Sequence, residues 1–161
     1  MTVEEYNISV DEYSDNIYRF ILKNIRNSDK AKDIVQDTYE KLWIKVEDVS
    51  FGKVRSYLFT TAYHTMIDML RREKKQGDFH EVKPDDYSHN VQYTDLNEIL
   101  HEAIKKLPDA QRSVILLRDY EGYAYEEIAE ITGLSESQVK VYIFRGRMFL
   151  KEYIGKMETV I

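Results

Sequence analysis

The chain has 161 residues, 43% of them apolar, with six glycines, two prolines and no cysteine. This composition is typical of a soluble, helix-rich protein and excludes disulfides and thiolate metal sites, so we expect no metal and no other cofactor. No apolar run exceeds four residues, whereas a membrane span needs about 20. The acidic N-terminus lacks the basic start and apolar stretch of a secretory signal, which predicts a cytoplasmic protein.

The formal net charge of −6 is unevenly distributed along the chain. Residues 76–102 contain seven acidic residues and one lysine and therefore account for the whole excess. Two basic clusters occur in the remaining, neutral part of the chain. The first is Arg71, Arg72, Lys74 and Lys75, and the second is Lys140, Arg145, Arg147 and Lys151. Either cluster is compatible with a solvated helix end or with an anionic partner such as nucleic acid.

Apolar residues recur at helical spacing nearly throughout, and no Asn-Gly or Asp-Gly turn separates alternating runs, so the sequence predicts an all-α protein. Three stripes precede residue 75. The first comprises Tyr13, Ile17, Phe20, Ile21 and Ile25, the second Ala31, Ile34, Val35, Thr38, Leu42 and Val46, and the third Leu58, Ala62, Thr65, Met66 and Met69. We expect three long helices to close one small core and to form a first domain over residues 1–75.

Helical periodicity disappears between residues 76 and 94, which are rich in turn-forming and acidic residues. Such a segment buries too little apolar area to offset the entropy of ordering it, so we predict a flexible acidic linker. Helical spacing resumes at Leu96, is interrupted at Pro108 and ends at Gly122. Residues 95–161 are therefore predicted to form a second small helical domain.

Residues 125–150 predict a helix-turn-helix. A short amphipathic helix ends at Gly133, and Ser135 and Gln138 then have the spacing of a capping box, which begins the next helix. Two short helices joined by a tight glycine turn are typical of DNA-binding helix-turn-helix units, although ordinary helical hairpins share the pattern.

Helical geometry divides the second of these helices into two faces. Val139, Ile143, Gly146 and Leu150 share one face, which we expect to be buried. The opposite face carries Ser137, Lys140, Val141, Phe144, Arg145 and Met148. Cations mixed with exposed apolar groups are typical of a major-groove reader, which places Arg or Lys on phosphates and guanine edges and apolar groups on thymine methyls. Packing of Phe144 and Met148 on the other domain is the alternative interpretation.

These motifs resemble the bacterial extracytoplasmic-function (ECF) sigma factors, which belong to the sigma-70 family of RNA polymerase subunits. The C-terminal resemblance consists of Leu107-Pro108-Asp109-Ala110-Gln111-Arg112, Tyr125-Glu126-Glu127-Ile128-Ala129, Gly133-Leu134-Ser135 and Phe144-Arg145-Gly146-Arg147. The N-terminal resemblance consists of Asp33-Ile34-Val35-Gln36-Asp37-Thr38, Leu42-Trp43, Ser56-Tyr57-Leu58 and Ile67-Asp68-Met69-Leu70-Arg71-Arg72. Together the two resemblances cover residues 10–75 and 95–155. Two independent sets of motifs that occur in the same order as in the family argue against coincidence.

The resemblance implies a promoter-specificity subunit that is not itself an enzyme. In the family, the helix matching residues 29–47 docks on the clamp helices of the largest subunit of core RNA polymerase, and the flap region is a further contact. The corresponding outward residues are Asp33, Gln36, Asp37 and Glu40. A solvated acidic face is the alternative interpretation of these four residues. The resemblance also implies an anti-sigma factor as a partner.

For promoter DNA, the resemblance assigns the minus-ten element to the third helix and the minus-thirty-five element to the helix over residues 136–150. The implied minus-ten residues are His64, Asp68, Arg71 and Arg72, with the loop at residues 49–53 near any unstacked base. The implied minus-thirty-five residues are Ser137, Lys140, Val141, Phe144, Arg145 and Arg147. The helical angle makes Arg145 the better candidate for a base edge and Arg147 the better candidate for a phosphate.

Three positions depart from the family pattern. His64 stands where many members have an asparagine that contacts a minus-ten base. Ala124 replaces the serine or threonine that commonly caps the first helix of the helix-turn-helix, at an expected cost of about 0.5–2 kcal/mol. The loop at residues 47–53 is shorter than in many members of the family.

Two other functions agree with parts of the sequence. A sigma-like decoy, which binds an anti-sigma protein without touching DNA, would agree with the acidic balance but not with the retained Lys140, Arg145 and Arg147. A stand-alone helix-turn-helix regulator would leave the first domain without a role. An enzyme is not indicated, because the sequence contains neither a nucleophilic triad pattern nor a phosphate-cradling glycine loop.

Overall fold

A computed structural model describes residues 1–76 and 96–160. The described residues form seven α-helices and no strand, which confirms the all-α prediction. The helices are α1 (Val3–Ile25), α2 (Ser28–Ile44), α3 (Val54–Lys75), α4 (Leu96–Lys105), α5 (Asp109–Ile115), α6 (Tyr125–Thr132) and α7 (Glu136–Val160). A 3-10 turn at Phe51–Lys53 precedes α3, and a π-helical turn at Leu116–Tyr120 follows α5.

The chain divides into two compact units, Met1–Lys83 and Pro84–Ile161. Unit 1 contains α1 to α3, and unit 2 contains α4 to α7. All but the first residue of the predicted acidic linker, residues 76–94, lies outside the described residues.

Unit 1 is a bundle in which each of the three helices contacts the other two. The three predicted apolar stripes supply most of its core. The most buried core residues are Ile17, Phe20, Ile21, Ala31, Ile34, Leu42, Leu58, Phe59, Ala62 and Met66. Phe59 was not among the predicted stripe residues, and the predicted Tyr13, Val35, Val46 and Met69 are only half-buried. Phe20 and Phe59 meet edge to face, with ring centroids 5.6 Å apart. Full burial of a large apolar side chain is worth about 1.5–3 kcal/mol, so these contacts hold the bundle together.

The first helix is longer than the apolar stripe predicts. α1 begins at Val3, although the stripe starts only at Tyr13. A capping box closes its first turn: the Thr2 hydroxyl accepts from the Glu5 amide at 3.1 Å, and the Glu5 carboxylate accepts from the Thr2 amide at 2.9 Å. The cap satisfies amides that would otherwise be unpaired, so the helix forms without a continuous apolar face.

Tyrosines attach this extension of α1 to α2. The Tyr6 hydroxyl donates to the Tyr39 carbonyl at 3.0 Å, and the Tyr6 ring lies edge to face on Trp43 with centroids 5.1 Å apart. In return, the buried Tyr39 hydroxyl donates to the Ser9 carbonyl at 2.8 Å. Burial raises the pKa of Tyr39 well above its ordinary value, so this hydroxyl remains a donor at any physiological pH.

The second helix is shorter than the resemblance implied. α2 ends at Ile44 rather than at residue 47, and Val46 therefore lies in the following turn instead of on the helix. The reason is local: the Lys45 amide is shared between the Lys41 and Leu42 carbonyls at 3.3 and 3.1 Å, and the Val46 amide donates to the Trp43 carbonyl at 3.3 Å, three residues back, so the α-helical ladder ends here.

In unit 2, α4, α5 and α6 all pack on α7. Its core is again made of residues at helical spacing, namely Ile99, Ala103, Ile104, Leu107, Val114, Ile115, Leu116, Leu117, Ile128, Ile131, Val139 and Ile143. α7 continues to Val160, beyond residue 150, where the resemblance placed the end of the recognition helix. The longer helix gives α4 and α5 a common surface on which to pack.

One buried cation holds the turn between α4 and α5. Arg112 is only 6% exposed, and its guanidinium donates to the carbonyls of Ile104, Lys105 and Leu107 at 3.2, 3.1 and 2.6 Å. These carbonyls lie at or just beyond the end of α4, where the helical ladder stops; of the three, the Ile104 carbonyl also accepts from the Leu107 amide at 3.1 Å. Asp109 completes the arrangement with an ion pair at 3.0 Å from its exposed side chain.

The π-helical turn changes the direction of the chain after α5. The Glu121 amide donates to the Leu116 carbonyl at 3.1 Å, five residues back, and Gly122 adopts the left-handed backbone with φ of 75°. The predicted helix end at Gly122 is therefore correct. The wider turn moves residues 118 and 119 toward the start of α6, and such turns are frequent at functional sites.

Candidate polymerase and promoter interfaces

α2 presents a polar strip to solvent. Asp33, Gln36, Asp37 and Glu40 are all exposed, on the side of the helix opposite its contacts with α1 and α3. Their spacing of three or four residues places them on one face over two turns. The structure thus brings the four residues assigned to the polymerase contact together on one exposed strip with three carboxylates.

Two lysines of α2 are held by α3. Lys30 forms an ion pair with Glu73 at 2.5 Å, and the Lys41 ammonium donates to the Thr65 hydroxyl at 2.9 Å. At the start of the helix, the Asn27 side chain accepts from the Lys30 amide at 3.1 Å and caps the first turn. These contacts fix the rotation of α2 on α3, so the position of the polar strip in unit 1 is well defined.

The exposed face of α3 contains the residues assigned to the minus-ten element. His64, Asp68, Arg71 and Arg72 are all exposed, and their spacing places them along one side of the helix. Arg72 donates to the Asp68 carbonyl at 3.4 Å, and the His64 ring lies edge to face on Tyr63. The structure brings the four together as one surface that carries both basic and acidic groups.

The turn before α3 exposes an aromatic ring. Phe51 begins the 3-10 turn and is exposed, whereas Val54, the first residue of α3, is buried and anchors the turn to the core. The loop at residues 49–53 is therefore short, and the buried Val54 anchors its C-terminal end to the core.

The helix-turn-helix in unit 2 has the predicted local chemistry. Gly133 ends α6 in the left-handed conformation, with φ of 78°, and its amide donates to the Ala129 carbonyl at 2.9 Å. The capping box of α7 is formed in both directions, with Ser135 and Gln138 bonding each other's backbone amides at 3.1 and 3.0 Å. A glycine is required here because residues with a β-carbon adopt this backbone only at a cost.

The start of α6 has only half of a capping box. Ala124 occupies the cap position and has no side-chain oxygen, so the amides of the first turn lack that acceptor. The other half is present, because the Glu127 carboxylate accepts from the Ala124 amide at 2.9 Å. The alanine at position 124 should therefore cost less stability than the loss of the whole capping box would.

α7 has the two faces that its sequence predicts. Val139, Ile143, Gly146 and Leu150 are buried. Ser137, Lys140, Val141, Phe144, Arg145, Arg147 and Met148 are exposed. Phe144 is 66% exposed, which is unusual for a large aromatic side chain in a face that also carries two cations.

Gly146 allows α5 and α7 to approach closely. A β-carbon added there would overlap Cδ1 of Ile115 and lie 3.7 Å from Cβ of Gln111. The absence of a side chain lets the two helices meet at this point, and α5 in turn fixes how α7 presents its outer face.

A cluster of aromatic and charged side chains adjoins the outer face of α7; we call it the Tyr125 cluster. It consists of Arg118, Asp119, Tyr125, Lys140 and Arg147. Tyr125 has two cations over its ring: the Arg118 guanidinium carbon 4.5 Å and the Lys140 nitrogen 5.8 Å from the centroid. Arg147 forms a forked ion pair with Asp119, with contacts of 2.5 and 3.3 Å.

Sequence reasoning missed Arg118, Asp119 and Tyr125 as members of this surface. Arg147 was assigned to a phosphate, and the structure places its guanidinium against the Asp119 carboxylate. Hydrogen bonding to Asp119 is the main cause of the raised pKa of Arg147, with Tyr125 a smaller contributor. The only signal in the sequence was that Arg118 and Asp119 come shortly before Gly122, a turn glycine. This signal does not predict a π-helical turn.

Comparison with known proteins bears on what these surfaces do. Residues 10–76 match the family model for sigma-70 region 2, and residues 97–150 match that for sigma-70 region 4. The chain is 32% identical over 155 residues to RNA polymerase sigma factor YlaC of Bacillus subtilis, covering 90% of this chain and 89% of the relative. It is 28% identical to ECF RNA polymerase sigma factor SigM of the same organism, covering 94% of each. The chain belongs to the ECF sigma factors of the sigma-70 family.

Solved structures agree with this assignment. This ECF sigma factor superimposes with a TM-score of 0.78 on the sigma factor RpoE of Bartonella quintana, which was solved in complex with the anti-sigma factor NepR. The two are 27% identical, and the match covers 95% of this chain and 98% of the other. CnrH, solved with the cytosolic domain of CnrY, shares the fold with a TM-score of 0.67 at 22% identity, covering 94% of this chain and 88% of that one.

Two features are absent from the described residues of this ECF sigma factor. None of its described helices is both long and apolar enough to cross a membrane. Within the same residues, no group of three His, Asp or Glu side chains is placed to hold a metal ion.

Proposed function

We propose that this ECF sigma factor uses its two units for different contacts: unit 1 for core RNA polymerase and the minus-ten element, and unit 2 for the minus-thirty-five element. As a sigma factor it directs core polymerase to promoters and initiates transcription, and it contributes binding rather than a chemical reaction of its own. Core polymerase is cytoplasmic, so we place the protein there.

The observation that carries the proposal is the outer face of α7. Lys140, Val141, Phe144 and Arg145 project together from a helix whose start is fixed by a complete capping box. An α-helix fits the major groove, where cations bind phosphates and guanine edges and apolar groups contact thymine methyls. An exposed Phe144 has a use on such a surface, whereas on a purely solvated face it would be a liability.

Unit 1 supports the polymerase contact through α2. Its polar strip of three carboxylates and one amide is exposed, and the lysines Lys30 and Lys41 are bound to α3. We assign this strip to the clamp helices of the largest polymerase subunit. The basic and polar face of α3 lies on the same unit and is assigned to minus-ten DNA, with Arg71 and Arg72 on phosphates.

An anti-sigma factor is the remaining partner. The Bartonella quintana protein that shares 27% of its residues with this chain was solved with an anti-sigma factor bound. We extend that partnership to this chain, because it matches nearly the whole length of that protein. The flap region of core polymerase is assigned to unit 2.

In vitro transcription tests the proposal. The full chain is combined with core RNA polymerase on a library of genomic promoters, and transcripts are sequenced. Initiation at a set of promoters that share minus-ten and minus-thirty-five elements is the expected result. No initiation, together with binding of an anti-sigma protein, would indicate a decoy; tight, sequence-specific duplex binding by the free chain would indicate a stand-alone regulator.

A variant of α7 tests the reading face. Arg145→Ala should relax the preference at one or two positions of the minus-thirty-five element and cost about 1–3 kcal/mol on the best site. Lys151→Ala, which removes another exposed cation of the same helix, is the matched control. An unchanged consensus in a randomised minus-thirty-five library with Arg145→Ala would show that the assignment of the reading face is wrong.

A further inference from the structure

The ion pair between Asp119 and Arg147 has a specific geometry. The Arg147 Nη2 donates to Asp119 Oδ1 at 2.5 Å, and Nε donates to Oδ2 at 3.3 Å, so the carboxylate engages one edge of the guanidinium. The two residues are 28 positions apart, on the π-helical turn and on α7. A forked pair of this kind fixes the plane of the guanidinium, unlike a single contact. The third nitrogen, Nη1, takes no part in this ion pair.

The surroundings of the pair restrict it further. Arg118, next to Asp119 on the π-helical turn, donates to the Tyr123 carbonyl at 2.9 Å and lies over the Tyr125 ring. Tyr125 makes a smaller contribution than Asp119 to the raised pKa of Arg147, so its ring lies near the guanidinium. The guanidinium of Arg147 is therefore paired with Asp119 and lies beside a side chain of α6, which packs on α7.

The ion pair between Lys140 and Glu136, also on α7, has a different geometry. Lys140 meets Glu136 through one contact of 3.3 Å, four residues away on α7 itself, between two exposed side chains. Such an exposed pair within a helix restricts the lysine little and contributes little to stability. Of these two ion pairs described on α7, only the Asp119–Arg147 pair joins α7 to another element.

We propose that Asp119 is a positioning residue for promoter binding, which orients the Arg147 guanidinium so that its remaining edge meets a phosphate of the minus-thirty-five DNA. The inference rests on the proposed function of α7. The inference gives the Asp119 carboxylate a favourable role in binding DNA, which is a polyanion. The negative charge of Asp119 alone should repel DNA. Removing this charge should therefore weaken DNA binding if Asp119 positions Arg147, and strengthen it if Asp119 only repels DNA.

The physical basis is the entropy of a long side chain. Immobilising a flexible side chain at an interface costs roughly 0.5–1.5 kcal/mol, which corresponds to about a two- to tenfold change in affinity. If Asp119 has already immobilised Arg147 in the free protein, that cost is absent when DNA binds. Removing the carboxylate restores the cost, although it also removes a negative charge.

The test compares four full-length proteins, each assembled with core polymerase: wild type, Asp119→Asn, Arg147→Ala and the double variant. Affinity for promoter duplex is measured by fluorescence anisotropy at several salt concentrations, and thermal unfolding is measured in parallel. Glu136→Gln is the matched control, since it makes the same charge change in the other ion pair of α7.

The expected result is that Asp119→Asn weakens binding about two- to tenfold, similarly on promoters with different minus-thirty-five sequences, while Glu136→Gln does not weaken it. In the Arg147→Ala background, Asp119→Asn should cause no further loss. Tighter binding by Asp119→Asn would show that the carboxylate only repels DNA and would overturn the inference.

Two other results would also overturn it. A loss of affinity from Asp119→Asn by the same factor in the Arg147→Ala background as in the wild type would show that Asp119 acts by stabilising the fold. The unfolding temperature would then fall in both proteins that carry Asp119→Asn. Wild-type affinity in Asp119→Asn, with promoter-directed transcription intact, would refute the positioning role alone. Failure of the wild-type holoenzyme to initiate at any promoter would instead refute the proposed function on which the inference rests.

Discussion

Replacing Arg112 with methionine is expected to destabilise unit 2 strongly and to leave unit 1 unchanged. Methionine keeps an unbranched stem of similar shape but has no donor. The carbonyls of Ile104, Lys105 and Leu107 would then lose the guanidinium that now pairs with all three. Because Arg112 is only 6% exposed, water has little access to replace it.

The magnitude follows from two of these carbonyls, those of Lys105 and Leu107, because the Ile104 carbonyl still accepts from the Leu107 amide at 3.1 Å. A buried polar group left without a partner costs about 1–3 kcal/mol, and partial relaxation makes the two costs less than additive, so we expect a loss of about 2–4 kcal/mol. A domain the size of unit 2 has a total stability of about 3–10 kcal/mol. The variant should therefore remove a large part of the stability of unit 2.

Asp109 provides an internal comparison. It forms an ion pair with Arg112, but its side chain is 87% exposed. An ion pair with such an exposed member is worth about 0–1 kcal/mol. Asp109→Asn should therefore change the stability of unit 2 by less than about 1 kcal/mol, which would show that the carbonyls and not the carboxylate determine the role of Arg112.

Denaturation of the full chain distinguishes the two units. The single tryptophan, Trp43, lies in unit 1, so its fluorescence follows that unit, and hydrogen exchange of α5 and α7 amides follows unit 2. Lys151→Met, an exposed change on α7, controls for the loss of a cation. If Arg112→Met lowered the stability of unit 2 by less than about 1 kcal/mol, the argument from unpaired carbonyls would be refuted.

Three further predictions concern single contacts. Gly146→Ala should lower the stability of unit 2 by about 1–2 kcal/mol through overlap with Ile115, and Ile115→Val in the same chain should recover part of the loss; thermal unfolding measures both. Ala124→Ser should raise the stability by about 0.5–2 kcal/mol by completing the capping box, and an unchanged melting temperature would contradict this. Replacing Gln36 and Asp37 together with alanine should weaken the association with core polymerase in a pull-down at an unchanged melting temperature, because both are exposed; a lower melting temperature with full association would instead mean that they are structural.

The apolar pattern by itself determined that the chain is helical and which residues form most of the two cores. Side chains that repeat every three or four residues can be buried together only on a helix, so Ile17, Phe20 and Ile21 could be assigned to the core before any contact was known. The same reasoning gave the two faces of α7, where Val139 and Ile143 are buried and Phe144 is exposed. These properties depend on the local spacing of residues, which the sequence contains in full.

The start of α7 was predicted because a short-range signal marks it. Ser135 and Gln138 are three residues apart, and their reciprocal bonds depend only on that spacing. The early start of α1 has an equivalent signal in Thr2 and Glu5, which an analysis of apolar stripes alone passes over. The end of α2 has no such signal.

Tertiary structure alone decided which distant side chains meet. Arg112 reaches carbonyls of α4 because Pro108 and Leu107 turn the chain back, and Asp119 reaches Arg147 across 28 residues only through the π-helical turn and the packing of α5 on α7. No periodicity or capping rule contains these distances, since they are set by how closely whole helices approach. The side chains of one helix face are thus readable from the sequence, whereas the partners of a long charged side chain depend on the assembled fold.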